Sequence, residues 1–217
     1  MIRYAITSRV LFYLDENQRQ RSLLRQAARW AADGIDYIQL REKDLPAGVQ
    51  VALANSILCV IESAHSNTRL LINSRADIAL ATHAHGVHLT AASGELTPAP
   101  IRQLYAAAHL DPGHSAPIIS RSCHTLGEVL MAREQSTDLI LFGPVFGKTI
   151  AGVTVTPAAG LDLLAEACLV AAPIPVLALG GVHLEDATTC LRAGAHGIAG
   201  IRCFVDESSL FEADLPR

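Results

Sequence analysis

No stretch of this chain is long and apolar enough to cross a bilayer. Met1 to Arg9 carries a tyrosine, a threonine and two arginines where a signal peptide would have its apolar region, so a cytoplasmic protein is expected. The five cysteines, Cys59, Cys123, Cys168, Cys190 and Cys203, show no Cys-x-x-Cys spacing. They read as small buried hydrophobes in a reducing compartment rather than as a metal or disulfide framework. Basic residues are nowhere concentrated: 17 Lys and Arg stand against 21 Asp and Glu, a formal charge of −4, which argues against nucleic acid as the main partner. Charged residues are scarce at 18% and hydrophobic residues reach 50%, which excludes intrinsic disorder. No linker or low-complexity tract divides the 217 residues, so the whole chain, 1–217, reads as one domain with a sizeable core.

What is present is an alternation. Short apolar runs, several of them continuous as in strands covered on both faces, fall at Tyr4–Thr7, Tyr37–Arg41, Leu70–Asn73, Gly86–Thr90, Ile118–Ser122, Leu139–Val145, Val176–Gly181 and Gly197–Arg202. Between them lie stretches of helical period. Arg19–Asp33 carries Leu23, Leu24, Ala27, Ala28 and Ala31 on one stripe and stops at Gly34, and Thr125–Gln135 opens with a Thr125/Glu128 capping box. Further helices are expected over Val49–Ala64, Ala158–Ala171 and Leu184–Ala193, with short ones over Arg75–Ala84 and Pro100–Leu110. The phrases "ADGIDYIQL", "HAHGVHL" and "AGAHGIAG" form a weak internal repeat in which a helix ends and a strand begins. Eight strand–helix units predict an α/β fold, a single (β/α)8 TIM barrel. An open doubly wound sheet is the other candidate, but it usually shows a glycine-rich turn after the first strand, and Ser8–Asp15 has no glycine.

In such a barrel the active site forms at the strand C-termini. Gln39, Arg41 and Lys43 recur at period two there and look like an anion clamp, while Glu42 and Asp44 would point the other way and pair with helices. The alternative is a charged rim loop. Asn73 either contacts a ligand or caps the short helix after it. Ser122 and His124 share a side of the fifth strand, Ser122 suited to phosphate contact and His124 to proton transfer; no nucleophile elbow accompanies them. Gly180-Gly181 and Ile201-Arg202 follow the last two strands, where barrels bind phosphate, although a plain tight turn would also use the glycines. His83 and His85 fall in a turn at the opposite end from His88, which argues against a metal site among the three. Trp30 reads as packing.

The order Gln39-x-Arg41-Glu42-Lys43-Asp44, then "LLINSRADIAL", "GVHL", "SCHTLGEV", "LFGPVF", "LALGGV" and "AGAHGIAGI", resembles the thiamine phosphate synthase superfamily, including its TenI-type thiazole tautomerases, from about Tyr4 to Phe204. The resemblance implies an enzyme of thiamin biosynthesis. It would be a transferase that couples hydroxymethylpyrimidine pyrophosphate to thiazole phosphate and releases pyrophosphate. It further implies that Gln39 contacts the pyrimidine, that Arg41, Lys43 and Asn73 face pyrophosphate with Ser122 assisting, and that the backbone at Gly180, Gly181, Ile201 and Arg202 holds the thiazole phosphate. The chain departs from the pattern at three places. Ser74 and Ser93 stand where carboxylates are usual, and Gly147-Lys148-Thr149-Ile150 replaces a Thr-x-Thr-Lys phosphate loop, leaving Lys148 and Thr149 with similar chemistry. Mg²⁺ is generally held by one or two carboxylates beside phosphates. No metal is therefore expected on the unliganded protein, and Mg²⁺ only with pyrophosphate, with Glu95 as partial compensation. A metal-independent thiazole tautomerase using His124, and a non-catalytic phosphate-ester-binding barrel, are the alternatives; an oligomer is compatible with either.

Overall fold

The computed structural model describes residues 1–13, 15–92, 94–108, 116–150 and 153–205, and only the backbone of 148–150 and 153–156. Eight parallel strands close a barrel: β1 (Ile2–Ile6), β2 (Tyr37–Leu40), β3 (Arg69–Asn73), β4 (Gly86–Leu89), β5 (Ile118–Cys123), β6 (Leu139–Phe142), β9 (Val176–Leu179) and β10 (Gly197–Gly200), ordered β1-β10-β9-β6-β5-β4-β3-β2 around the ring. Helices α1 (Glu16–Ala32), α2 (Ala47–Ser63), α3 (Ala76–Ala81), α4 (Pro98–Ala107), α5 (Leu126–Glu134), α6 (Gly160–Ala171) and α7 (Ala187–Arg192) alternate with them. All eight expected runs hold a barrel strand, and the closed ring excludes the open doubly wound sheet.

Several element ends differ from expectation for local reasons. The last three barrel strands stop two or three residues early, the first of them, β6, just before Gly143-Pro144, since proline lacks the N–H a ladder needs. A two-stranded antiparallel hairpin, β7 (Lys148–Ile150) and β8 (Val153–Thr156), follows β6, and the sequence reading had no strand there. Helix α1 starts three residues before Arg19 because Asp15 caps it, accepting from the Gln18 amide at 2.9 Å. The expected helix Leu184–Ala193 is a 3₁₀ turn, Leu184–Asp186, leading into the short α7.

The internal repeat has a physical basis at the barrel floor. Gly86 and Gly197 open β4 and β10, and a Cβ on either would meet a neighbouring strand's carbonyl oxygen at 1.9 Å, that of Ile118 or Ile2. The histidine before each glycine turns its ring to the adjacent strand. His85 Nδ1 accepts from the Leu70 amide at 3.0 Å, and His196 Nδ1 from the Val176 amide at 3.3 Å. The repeated His-Gly pair thus joins strands at the end of the barrel away from the site.

Strand parity separates two cores. Outward residues of the strands pack against the helices, where Leu23, Ala27, Trp30 and Ala31 of α1 are buried and Trp30 Nε1 donates to the Phe204 carbonyl at 2.7 Å. Inward residues fill the barrel, with Tyr4, Ile6, Leu71, Leu139, Leu141, Leu177 and Ala199 as its apolar part. Cys123 and Cys190 are buried as expected, but Cys59 is exposed, because it lies on the solvent side of α2, opposite Leu53, Ala54, Ile57 and Ile61.

Candidate active site

The barrel lumen is chemically divided. On β6, β9 and β10 its lining is Leu139, Leu141, Leu177 and Ala199, all apolar. On β2 to β5 the same inward parity brings Gln39, Asn73, His88, Ser120 and Ser122 to the upper half, with Tyr4 of β1 beneath them. Core packing does not call for this polar half, since buried polar groups must each find a partner. Most do. Gln39 Nε2 donates to Asn73 Oδ1 at 2.9 Å, and Asn73 Nδ2 donates to Ser74 Oγ at 3.2 Å. Asn73 therefore turns into the site and does not cap α3, whose N-cap residue is Arg75. Gln39 is 1% exposed, and its Oε1 has no partner among the described residues.

His88 sits at the centre of this half, 3% exposed. Its Nε2 lies 2.9 Å from Ser122 Oγ and its Nδ1 2.9 Å from Ser120 Oγ, with the Tyr4 hydroxyl 3.1 Å from Ser120 Oγ and 3.4 Å from Nδ1. Burial first, then the charges of Arg41 and Lys43, hold the ring's pKa down to about 3, so it is neutral in ordinary buffers. Burial likewise pushes the Tyr4 phenol well above its usual value.

The expected clamp needs a geometric correction. Strand β2 ends at Leu40, and Lys43 lies in a turn closed by the Leu45 amide on the Glu42 carbonyl, so the period-two argument reaches Arg41 only. Lys43 still lines a pocket with Asn73, Ser74, Arg75, Thr90 and Glu95 at the mouth of β2 to β4. What holds the loop is Arg9, in the turn after β1. Its guanidinium meets Glu42 Oε2 at 3.0 Å, Asp44 Oδ2 at 2.6 Å and Glu16 Oε1 at 2.7 Å, and its amide donates to Glu42 Oε1 at 3.0 Å. Glu42 and Asp44 do point away from the clamp, and they pair with this loop arginine and not directly with helices. Arg9 holds the Asp44 carboxyl down to about 2. It also absorbs both carboxylates beside the clamp, and among the described residues neither Arg41 nor Lys43 has a carboxylate partner.

Ser74 carries a hydroxyl where an acid was looked for, but it is not far from one. Glu95 folds back from the β4 loop so that its Oε2 accepts from Ser74 Oγ at 3.0 Å and from the Thr90 amide at 3.1 Å, with the Thr90 hydroxyl also on it. Ser93 lies outside the described residues. At the end of β5, His124 is exposed and its Nδ1 contacts the Gly143 carbonyl; a carbonyl can only accept, so Nδ1 is the donor of this contact. The Thr125/Glu128 capping box that starts α5 fixes this corner, the Glu128 carboxylate taking the His124 amide at 2.5 Å.

Across the mouth, Gly180 and Gly181 have φ of +87° and +67°, and added Cβ atoms would strike Pro144 at 2.6 Å and the Phe146 carbonyl at 2.5 Å. These glycines let the β6 and β9 loops pack, as the structural alternative of a plain tight turn allows; a ligand role for their backbone stays compatible with that. Ile201 packs on the lumen cluster, while the Arg202 side chain is exposed. Lys148 and Thr149 lie on β7, with their side chains outside the described atoms. Residues that sequence reasoning missed are Tyr4, Ser120 and Arg9. Strict period-two counting from Ser122 would have found Ser120.

Comparison with known proteins adds the lineage. The family model for thiamine monophosphate synthase matches residues 4–204. A thiamine-phosphate synthase of Salinibacter ruber is 37% identical over 188 residues, 87% of this chain and 75% of that protein. One of Anaeromyxobacter dehalogenans is 35% identical over 170 residues, 78% of this chain and 70% of that protein. A solved structure, thiamine phosphate pyrophosphorylase from Pyrococcus furiosus, superposes with a TM-score of 0.75 over 96% of this chain and 90% of that one at 24% identity, which speaks to the fold. No helix among the described residues is long and apolar enough to cross a membrane.

Proposed function

The chain belongs to the thiamine monophosphate synthase family, and from that premise we propose that it joins hydroxymethylpyrimidine pyrophosphate to thiazole phosphate in the mouth of this barrel. The observation that carries the reading is the pair of cations Arg41 and Lys43, without a carboxylate partner among the described residues and set over neutral polar groups at the rim of β2 to β5. Such a surface suits a diphosphate. In the reaction the pyrimidine methylene loses its C–O bond to pyrophosphate, which leaves with the electron pair. The thiazole nitrogen then forms the new C–N bond to a cation-like methylene. Positive charge at the leaving group is the largest effect such a site can supply.

The roles follow from position. Gln39 Oε1, buried without a partner among the described residues, accepts an N–H of the pyrimidine. Arg41 and Lys43 take the diphosphate oxygens, with Asn73 and Ser122 donating beside them and Lys148 and Thr149 approaching from the hairpin. The backbone at Gly180, Gly181 and Ile201, with Arg202 outside, receives the thiazole phosphate across the apolar wall. Mg²⁺, when it accompanies the diphosphate, neutralises charge on the departing group. Glu95, with the Ser74 hydroxyl beside it, fits that ion as a single carboxylate, too few protein ligands to retain it without the diphosphate. A second reading, thiazole tautomerisation, is favoured by one observation, the exposed His124 ring held at the rim by its Nδ1 contact to the Gly143 carbonyl.

Calorimetric titration with inorganic pyrophosphate tests the site. Mg²⁺ is expected to strengthen pyrophosphate binding and to give no heat alone. Glu95→Gln should abolish the Mg²⁺ enhancement, and Lys43→Ala should weaken binding by roughly 1.5–3 kcal/mol, the range for a hydrogen bond to a charged group. Tight Mg²⁺ binding to the unliganded protein, or pyrophosphate affinity indifferent to Lys43, would count against this assignment.

A further inference from the structure

We propose that Tyr4, Ser120 and His88 are positioning residues that fix the Ser122 hydroxyl as a hydrogen-bond donor pointing into the site. The argument is a count of protons. Tyr4 and Ser120 are both fully buried, and their hydroxyls have only each other and His88 Nδ1 as partners among the described residues. If Nδ1 is bare, every proton has an acceptor: the Tyr4 O–H goes to Ser120 Oγ and the Ser120 O–H to Nδ1. If Nδ1 carries the proton, three donors share two acceptor oxygens. One hydroxyl proton is then left over, because two protons cannot lie on the single Tyr4–Ser120 contact. A buried donor without an acceptor bears the full cost of its desolvation. A doubly protonated ring meets the same obstacle.

The buried pair therefore selects the tautomer with the proton on Nε2. That proton can only go to Ser122 Oγ, 2.9 Å away. Ser122 Oγ is thus occupied as an acceptor from behind, and its own O–H is free to turn from this half-buried position toward the mouth, whose cations Arg41 and Lys43 act on the adjoining His88 ring. A serine is normally indifferent, donor or acceptor as required. Here the chain Tyr4→Ser120→His88→Ser122 has a direction, and its end matches an anion. The direction is a property of the unliganded barrel. Only the identification of the acceptor as a diphosphate rests on the proposed function.

The test is nitrogen NMR on the full-length protein labelled at histidine ring nitrogens. His88 is expected to show a protonated Nε2 and an unprotonated Nδ1, with or without inorganic pyrophosphate. A protonated Nδ1 or a mixture of tautomers in the wild type would overturn the proposal. The folded Tyr4→Phe/Ser120→Ala double variant, stripped of both hydroxyl donors, should show a measurable Nδ1–H population; a pure Nε2–H ring there would reject these two residues as its cause. In parallel, Ser122→Ala should weaken inorganic pyrophosphate binding about tenfold, the weight of one charge-assisted hydrogen bond. Unchanged affinity would overturn the donor role. A wild type with the expected tautomer that does not bind pyrophosphate would instead refute the diphosphate reading, with the ring spectra still deciding the direction of the chain.

Discussion

Replacing Arg9 with methionine is expected to lower the free energy of unfolding by about 3–5 kcal/mol, the cost of stranding one partner of a buried ion pair. The magnitude comes from Glu42. The side chains of Arg9 and Glu42 are 5% and 3% exposed, whereas those of Glu16 and Asp44 are 46% and 64% exposed. Exposed pairs are screened and contribute little. Glu16→Gln and Asp44→Asn should therefore each stay below about 1 kcal/mol. Arg9→Met/Glu42→Met should recover much of the loss, because it removes the unpaired charge along with its partner. Urea unfolding monitored by circular dichroism measures all four. A single Arg9→Met variant as stable as the wild type would show that Glu42 reaches water in solution. The same substitution should also weaken pyrophosphate binding, since the Glu42 and Asp44 carboxylates would then lie next to the clamp in sequence without their counterion and add negative charge near the diphosphate.

The second large effect is acid sensitivity well above the carboxylate range. The His88 ring takes a proton only near pH 3 when folded but near 6.5 when unfolded. Between those values the unfolded state binds the extra proton, so the stability from the neutral ring is complete above about pH 6.5 and declines as pH falls. The slope should approach about 1.4 kcal/mol per pH unit between pH 6 and pH 5, where few carboxylates titrate. In His88→Gln, which keeps a polar side chain without a titrating group, this slope should shrink. Equal slopes for wild type and variant, from urea unfolding at several pH values, would place the acid sensitivity elsewhere.

The barrel was legible because each strand is a short apolar run bounded by turn residues, and eight such runs with helices between them have few closures available. Strand ends were less legible. At the end of β2 the Arg41 amide goes to the Thr7 hydroxyl at 2.9 Å, a side-chain partner just past β1 that no local pattern around Arg41 announces. The rim residues Gln39, Asn73 and Ser122 could be read from strand-end polarity alone. Arg9 could not, since its partners Glu42 and Asp44 lie 33 and 35 residues away and nothing local marks a loop arginine as buried. Nor does sequence show that Glu95 turns back 21 residues to Ser74, which changes the missing acid at that corner into a displaced one. Burial of Cys59 was expected from residue type, whereas helix face decides it.

The proposed function stands or falls most directly on the coupling reaction itself. The full-length protein is incubated with hydroxymethylpyrimidine pyrophosphate and thiazole phosphate, with Mg²⁺ or with a chelator, and thiamine phosphate and pyrophosphate are quantified. The account predicts equal amounts of both products in Mg²⁺, little in chelator, sharp loss in Lys43→Ala and Glu95→Gln, and retention in His124→Ala. No thiamine phosphate under any condition, together with chelator-insensitive isomerisation of thiazole carboxylate phosphate that His124→Ala abolishes, would contradict it and establish the tautomerase instead.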